Sequence, residues 1–427
     1  MIQAVAEQVE SEQSRPNAVL ARLAMIISSH TVVDLFAAIV APLIGVLQIR
    51  CDLTANQAAG LIGIGSLSSG LSQPISAWLS DRLDSRLFGA MGLAIAAICL
   101  SSIGYADNFS TLVVIFVIGM IGVGIFHPIA ASTVGQLSEQ LNKRKRSIGI
   151  SIFFVAGMLG GILGSLISRT IAVKGDAGFD ALRFAVVPAL VFAGALHLMI
   201  RRVPHRHHQH HLIRFEDGEV SKRWWMIAVL YVASSLRFTV NMALLYLFVR
   251  WAEAHAVIAF PTYQADQIAA QGGKIAATAN ALLVLGMAIG GLVAGTLVRQ
   301  GREKWPQVVI PLIFAPLIAL FGKASLGMGY ALAVCAGIAF AAMIPATLSL
   351  AQRLLPHRTS LASAIMLGGA WMVAAAGPLL AEYCLGTLNL GLPRTFGLTA
   401  ALLGVSGLVC LLLDGKLLRK TAEVTSD

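Results

Sequence analysis

Long apolar runs separated by short polar connectors make up most of the 427 residues. A run of about twenty residues is what a helix needs to cross a hydrocarbon layer; a barrel strand would need only about ten. Twelve such runs are read here, near 21–48, 55–80, 87–105, 109–138, 147–170, 181–200, 223–250, 274–298, 307–325, 328–354, 361–386 and 393–414. One connector is longer and more polar than the rest, and six runs lie on each side of it. The pattern predicts an all-α polytopic membrane protein of 12 transmembrane helices in two pseudo-symmetric six-helix halves. The halves are 1–201 and 223–427, joined by a His-rich linker, 202–222.

The halves echo one another, as expected of an internally repeated transporter. An offset of 207 places Arg237 and Asn241 where His30 and Asp34 stand, and an offset of 217 pairs Phe126-His127-Pro128 with Met343-Ile344-Pro345. An offset of 213 matches Gly164-Ser165 to Gly377-Pro378.

Composition agrees with the pattern. The chain is 57% hydrophobic and only 12% charged, against about 25% charged in soluble domains. The net charge of +10 would suit nucleic acid if it were gathered on one surface. Instead, with the N-terminus inside, 22 basic residues fall in inner segments and 7 in outer ones. That asymmetry predicts both termini in the cytoplasm and explains the charge without a nucleic-acid partner. Five scattered cysteines form no metal or disulfide framework. Residues 1–20 lack the apolar core of a cleavable leader, so the first span is expected to act as the insertion signal.

Ionisable groups inside the spans carry the candidate chemistry, because a charge at mid-bilayer costs about 2.5–3.5 kcal/mol or more. In span one, His30 and Asp34 lie four residues apart and so share a helix face. Asp34 is the candidate proton-coupling group. His30 is its candidate relay, or a ring bonded to a backbone carbonyl of a neighbouring helix. His127 precedes Pro128 in span four and either joins the same cavity or satisfies the carbonyl that the proline frees. In span seven, Arg237 is a permanent cation near mid-depth and needs an acid or an anionic substrate. Asp34 across the interface is the expected partner when the site is empty, and Asn241 would add polar contacts. Arg169 and Glu382 near outer helix ends are read as an outer pair or as snorkelling side chains.

Several motifs resemble the major facilitator superfamily. Its loop after span two reads Gly-x-x-x-Asp-Arg-x-Gly-x-Arg/Lys. Asp81, Arg82 and Arg86 match it, while Ala77 and Asp84 replace the glycines. The resemblance implies a gating role for Asp81, Arg82 and Arg86. It also implies a substrate pathway lined by spans one, four, seven and ten. The glycines of span five, Gly157, Gly160, Gly161 and Gly164, resemble an antiporter motif whose usual proline is Ser165 here. His30-x-x-x-Asp34, Phe126-His127-Pro128 and Ser151-Ile152-Phe153 together resemble the fosmidomycin-resistance group of bacterial efflux transporters.

The expected function is therefore proton-coupled export of a small polar or anionic compound by alternating access, across a bacterial inner membrane, by a monomer without a cofactor. One alternative is proton-symport uptake of an organic anion or metal chelate. Another is a metal-handling protein using the five histidines of 205–211, a segment read here as a solvated linker that holds no metal. A third is a non-transporting membrane receptor on the same fold. No P-loop, Gly-x-Ser-x-Gly or His-Glu-x-x-His motif is present, so neither ATP hydrolysis nor one of these enzyme chemistries is expected.

Overall fold

The computed structural model describes residues 16–83, 86–141, 145–201, 203, 218–298, 301–355 and 359–423. The described residues are helical throughout, with short connections and no strand. Span one is α1 (Pro16–Ala37) and α2 (Ile44–Arg50), with a break at Ala38–Leu43 that contains Pro42. Spans two to six are α3 (Ala55–Arg82), α4 (Leu87–Ser101), α5 (Phe109–Leu141), α6 (Lys145–Lys174) and the pair α7 (Asp176–Phe184) and α8 (Val186–Ile200). The second half begins with α9 (Glu219–Ala259), α10 (Ala265–Leu297), α11 (Lys304–Leu320), α12 (Leu326–Ala341) and α13 (Ile344–Leu354). It ends with α14 (Thr359–Ala364), α15 (Ala370–Ala374), α16 (Ala376–Glu382), α17 (Gly391–Val409) and α18 (Gly415–Glu423).

Eleven of the twelve expected spans are long and apolar enough on composition alone to cross a membrane. The twelfth, α3, has 28 residues but is diluted by serines and glycines. Span seven starts at Glu219, so the last residues assigned to the linker, 219–222, are helical. Most of the linker, including 205–211, lies outside the described residues.

The sequence echo reappears in local structure. Thr54 caps α3: its hydroxyl accepts from Gln57 N, and Gln57 Oε1 accepts from Thr54 N. Residues 210 further on, Gln267 Oε1 accepts from Gln264 N at the start of α10. Such reciprocal bonds satisfy amide donors that a helix start leaves orphaned.

Close packing of small residues brings the functional helices together. A Cβ on Gly160 or Gly164 of α6 would run into the carbonyl oxygens of Thr31 and Leu35 on span one. Gly377 of α16 stands in the same relation to Thr239 O of α9. Glycine here lets backbones touch where lipid offers no hydrophobic drive for association. The halves meet where α6 packs on α10 and α3 packs on α15 and α16. Asn280 Nδ2 donates to Ser165 Oγ across the first contact (2.7 Å), and Ser66 Oγ donates to Trp371 O across the second (2.8 Å).

Candidate functional site

The glycine-lined seam between α1 and α6 fixes the first candidate site. With the helices this close, His30 Nδ1–H donates to Phe153 O at 2.7 Å, and the imidazole stacks on the Phe153 ring with centroids 3.8 Å apart. The remaining ring nitrogen, Nε2, lies 3.2 Å from Asp34 Oδ2. His127 arrives from α5. Its Nδ1–H donates to Val123 O at 2.7 Å, and its Nε2 lies 3.2 Å from Asp34 Oδ1. The two Nε2 atoms are themselves 3.2 Å apart.

His30 thus bonds a neighbouring carbonyl and also faces Asp34. His127 joins the same cluster. The carbonyl it occupies is that of Val123, one residue before the carbonyl of Gly124 that Pro128 leaves without its amide donor.

The hydrogen-bond inventory restricts what the cluster can hold. Each Nδ1 must carry a hydrogen, because its partner is a carbonyl. A neutral ring then presents Nε2 as a bare acceptor, here aimed at a carboxylate and at the other ring. The arrangement is satisfied only when it also contains a proton, as an imidazolium between acceptors. His30 is 2% exposed, while the Asp34 and His127 side chains keep 23% and 27% of their surface open. The cluster is therefore buried on one side and reachable on the other. Among the described residues these three are also the group a metal ion could bridge, their ligand atoms lying within 4.8 Å of one another. Asp34 gives one oxygen to each ring, and each of these contacts is a hydrogen bond only when a proton lies between its two atoms.

The second candidate site lies in the other half. Arg237 and Asn241 are one turn apart on α9, and both are 5% exposed. The expected bridge between Arg237 and Asp34 does not form. Asp34 is engaged by two imidazoles, and Arg237 is turned into its own half. There its Nη1 donates to Gln307 Oε1 of α11, and its Nε donates to Ala233 O at 3.0 Å. Gln307 is held in that orientation because its Nε2 donates to Thr347 Oγ1 (2.6 Å). Gln307 had no sequence signal, being an ordinary polar residue near a helix start. Arg237 Nη2 and Asn241 Nδ2 have no hydrogen-bond partner among the described residues.

Arg237 and Asn241 line a hollow of about 440 Å³, open solvent included. Its walls come from spans seven, eight, ten and eleven, so this hollow belongs to the second half and departs from the expected spans one, four, seven and ten. Ile344, the residue related to His127 by offset, is part of the lining. So are Met366 and Leu367, which sit in a π-helical turn, Ile365–Gly369, between α14 and α15. Single π-turns recur at functional positions.

Two further networks involve predicted residues. At the end opposite the linker, Arg250 donates to Tyr246 Oη (2.9 Å), Glu253 Oε2 (2.8 Å) and Gln48 Oε1 (2.7 Å). Tyr246 Oη donates to Glu382 Oε2 at 2.6 Å. The Gln48 contact joins the two halves. Glu382 thus pairs with Tyr246, while Arg169 is exposed. Near the linker, Arg86 is buried and donates to Ser132 Oγ, Gln136 Oε1 and Val203 O. Arg82 is exposed and lies over the Trp78 ring. The Asp81 side chain is outside the described set.

Comparison with known proteins agrees with this architecture. Residues 26–321 match the family model described as Major Facilitator Superfamily. A curated relative, "Uncharacterized MFS-type transporter YfnC" of Bacillus subtilis (strain 168), is 27% identical over 162 residues. That match takes in 38% of each chain, so the chain aligns with well under half of that relative's length. Among solved structures, a bacterial homologue of the human lysosomal transporter Spinster aligns with a TM-score of 0.67 at 15% identity, over 95% of this chain and 99% of that one. A peptide transporter POT in complex with sulfate gives 0.69 at 15% identity, over 93% and 95%. A D-xylose-proton symporter gives 0.66 at 14% identity, over 92% and 97%. Helix order, paired halves and matched family model lead to one assignment: this chain is a multi-pass membrane transport protein of the major facilitator superfamily.

Proposed function

We propose that the chain is a proton-coupled exporter of a small polar or anionic compound, working by alternating access. Its orientation would place both termini in the cytoplasm of a bacterial inner membrane, as the distribution of basic residues suggests. The observation that carries the reading is the convergence of His30 Nε2, His127 Nε2 and both Asp34 oxygens, each ring being fixed at Nδ1 by a carbonyl. Loaded with a proton, the cluster gains a donor between facing acceptors. Unloaded, it leaves acceptors facing one another in a buried setting, a cost of about 1–3 kcal/mol per unmatched group. Proton release is then favoured only when the cluster can open to water or rearrange, which is what ties protonation to a conformational step.

Arg237 and Asn241 are the substrate-facing pair of this proposal. The Gln48–Arg250 contact would hold the far end closed while the cavity is loaded, and Asp81, Arg82 and Arg86 would act at the linker end. The resemblance of spans one, four and five to efflux transporters supports export over uptake.

Everted membrane vesicles test the reading. A respiration-driven ΔpH is followed with a fluorescent weak base, and a panel of organic anions is added. Dequenching by one or more members is expected with the natural chain and not with Asp34→Asn at equal expression. Dequenching of undiminished size in Asp34→Asn removes the coupling role assigned to Asp34.

A further inference from the structure

The two unpartnered donors and the walls around them specify more than the word anion. Arg237 and Asn241 are each 95% buried by exposed fraction, and each still has a nitrogen facing no acceptor. Leaving such donors unmatched is costly, most of all for a charged group. The guanidinium is not free to fold away. Gln307, itself clamped by Thr347, takes Nη1, and Ala233 O takes Nε. What remains is a fixed Nη2 with Asn241 Nδ2 one helical turn along, a donor pair suited to two oxygens of one acidic group. No acidic residue lines the cavity among the described residues, so the ligand must supply the negative charge. A single guanidinium among otherwise uncharged lining residues calls for one charge, not two.

Apart from Ser234 and Thr347, the rest of the wall is apolar. Phe238, Phe340, Met287, Met343 and Met366 face the space, and Phe238 is backed by the Trp371 ring at 5.0 Å between centroids. A polyol would lose water at most of its hydroxyls without matching partners, because beyond Arg237 and Asn241 the polar lining is Ser234 and Thr347, and the Thr347 hydroxyl is already committed to Met343 O and to Gln307. Methionine and phenylalanine instead offer an adaptable surface to an apolar or aromatic body.

We propose that this cavity takes a monoanionic organic compound with an apolar body, an aryl or alkyl carboxylate or sulfonate, whose acidic oxygens sit on Arg237 Nη2 and Asn241 Nδ2. This deepens the reading of Arg237 and Asn241 as the substrate-facing pair. It makes no use of the proton cluster.

Binding to the purified full-length protein in a non-ionic detergent tests it without any gradient. Four probes separate the features: p-toluenesulfonate carries head and body, methanesulfonate the head alone, gluconate a monoanion on a polar body, and benzyl alcohol a ring without charge. Saturable quenching of tryptophan fluorescence and a rise in melting temperature are expected with p-toluenesulfonate. Its affinity should exceed that for the other three, and for chloride, at least tenfold. Arg237→Gln should weaken it tenfold or more and Asn241→Ala severalfold; the second variant stands alone if the first fails to fold. Absence of p-toluenesulfonate binding, equal affinity for gluconate, methanesulfonate, benzyl alcohol or chloride, or unchanged affinity in Asn241→Ala overturns the proposal. Intact binding with proton exchange undiminished in Asp34→Asn would instead count against the coupling reading alone.

Discussion

Gly157→Ala is a one-methyl probe of the proton cluster. A Cβ at Gly157 would lie 2.5 Å from Asp34 Oδ2 and from His30 Cε1, and 2.7 Å from His30 Nε2. Comfortable contact needs roughly 3.5 Å, so the neighbours must retreat by about 1 Å. Helix α6 cannot supply that movement cheaply. Gly160 and Gly164 already place it against backbone carbonyls of α1, and Thr31 Oγ1 donates across the seam to Ala156 O at 2.9 Å. The displacement therefore falls on the side chains. Moving Asp34 Oδ2 about 1 Å from a nitrogen now 3.2 Å away takes that pair beyond hydrogen-bond range. The expected cost is about 1–3 kcal/mol, both as overpacking and as one charge-assisted hydrogen bond. At 1.4 kcal/mol per decade this is roughly a tenfold or greater loss of ΔpH-linked exchange in everted vesicles. Binding of p-toluenesulfonate in the other half should stay within twofold. Gly161→Ala is the control, because its Cβ would meet only the Val284 side chain, at 3.1 Å or more. Exchange of natural size in Gly157→Ala, at matched expression, would refute the argument that the seam sets the cluster geometry.

Other outcomes follow from the same contacts. Gln307→Ala should lower the melting temperature by leaving Arg237 Nη1 unmatched, a loss of about 1–3 kcal/mol. Gln307→Glu should instead place a carboxylate on the guanidinium, preserve or raise the melting temperature, and remove p-toluenesulfonate binding; binding of natural strength in that variant would show that the charge of Arg237 is not what holds the probe. Arg250→Ala cuts the Gln48 contact between the halves. On a cysteine-free background, Val46→Cys should then react faster with a membrane-impermeant maleimide, and an unchanged rate would deny that contact a closing role. Ser165→Ala removes the acceptor of Asn280 Nδ2 and should cost about 1 kcal/mol in thermal stability.

The sequence alone determined what depends on short range. Apolar run lengths set the number of spans, because a helix needs a fixed length to cross the bilayer. Even α3, too rich in serine and glycine to stand out by composition, was legible from its place between connectors. Spacing placed His30 and Asp34 on one face, since residues four apart on a helix are neighbours whatever surrounds them. Offsets between the halves linked His30, Asp34 and His127 to Arg237, Asn241 and Ile344. All three of the latter line the second-half cavity.

Tertiary structure decided the partners. Which side chain faces Asp34 depends on the separation and rotation of three helices, and neither quantity is encoded in any local window. The glycines of α6 could be read as close packing, yet only the assembled seam aims the ring of His30 at Phe153 O and leaves its second nitrogen for Asp34. Repeat symmetry suggested that Arg237 would reach Asp34 across the interface. Gln307, seventy positions after Arg237 in the chain, captured it instead, because a buried guanidinium takes the nearest oriented acceptor in its own half.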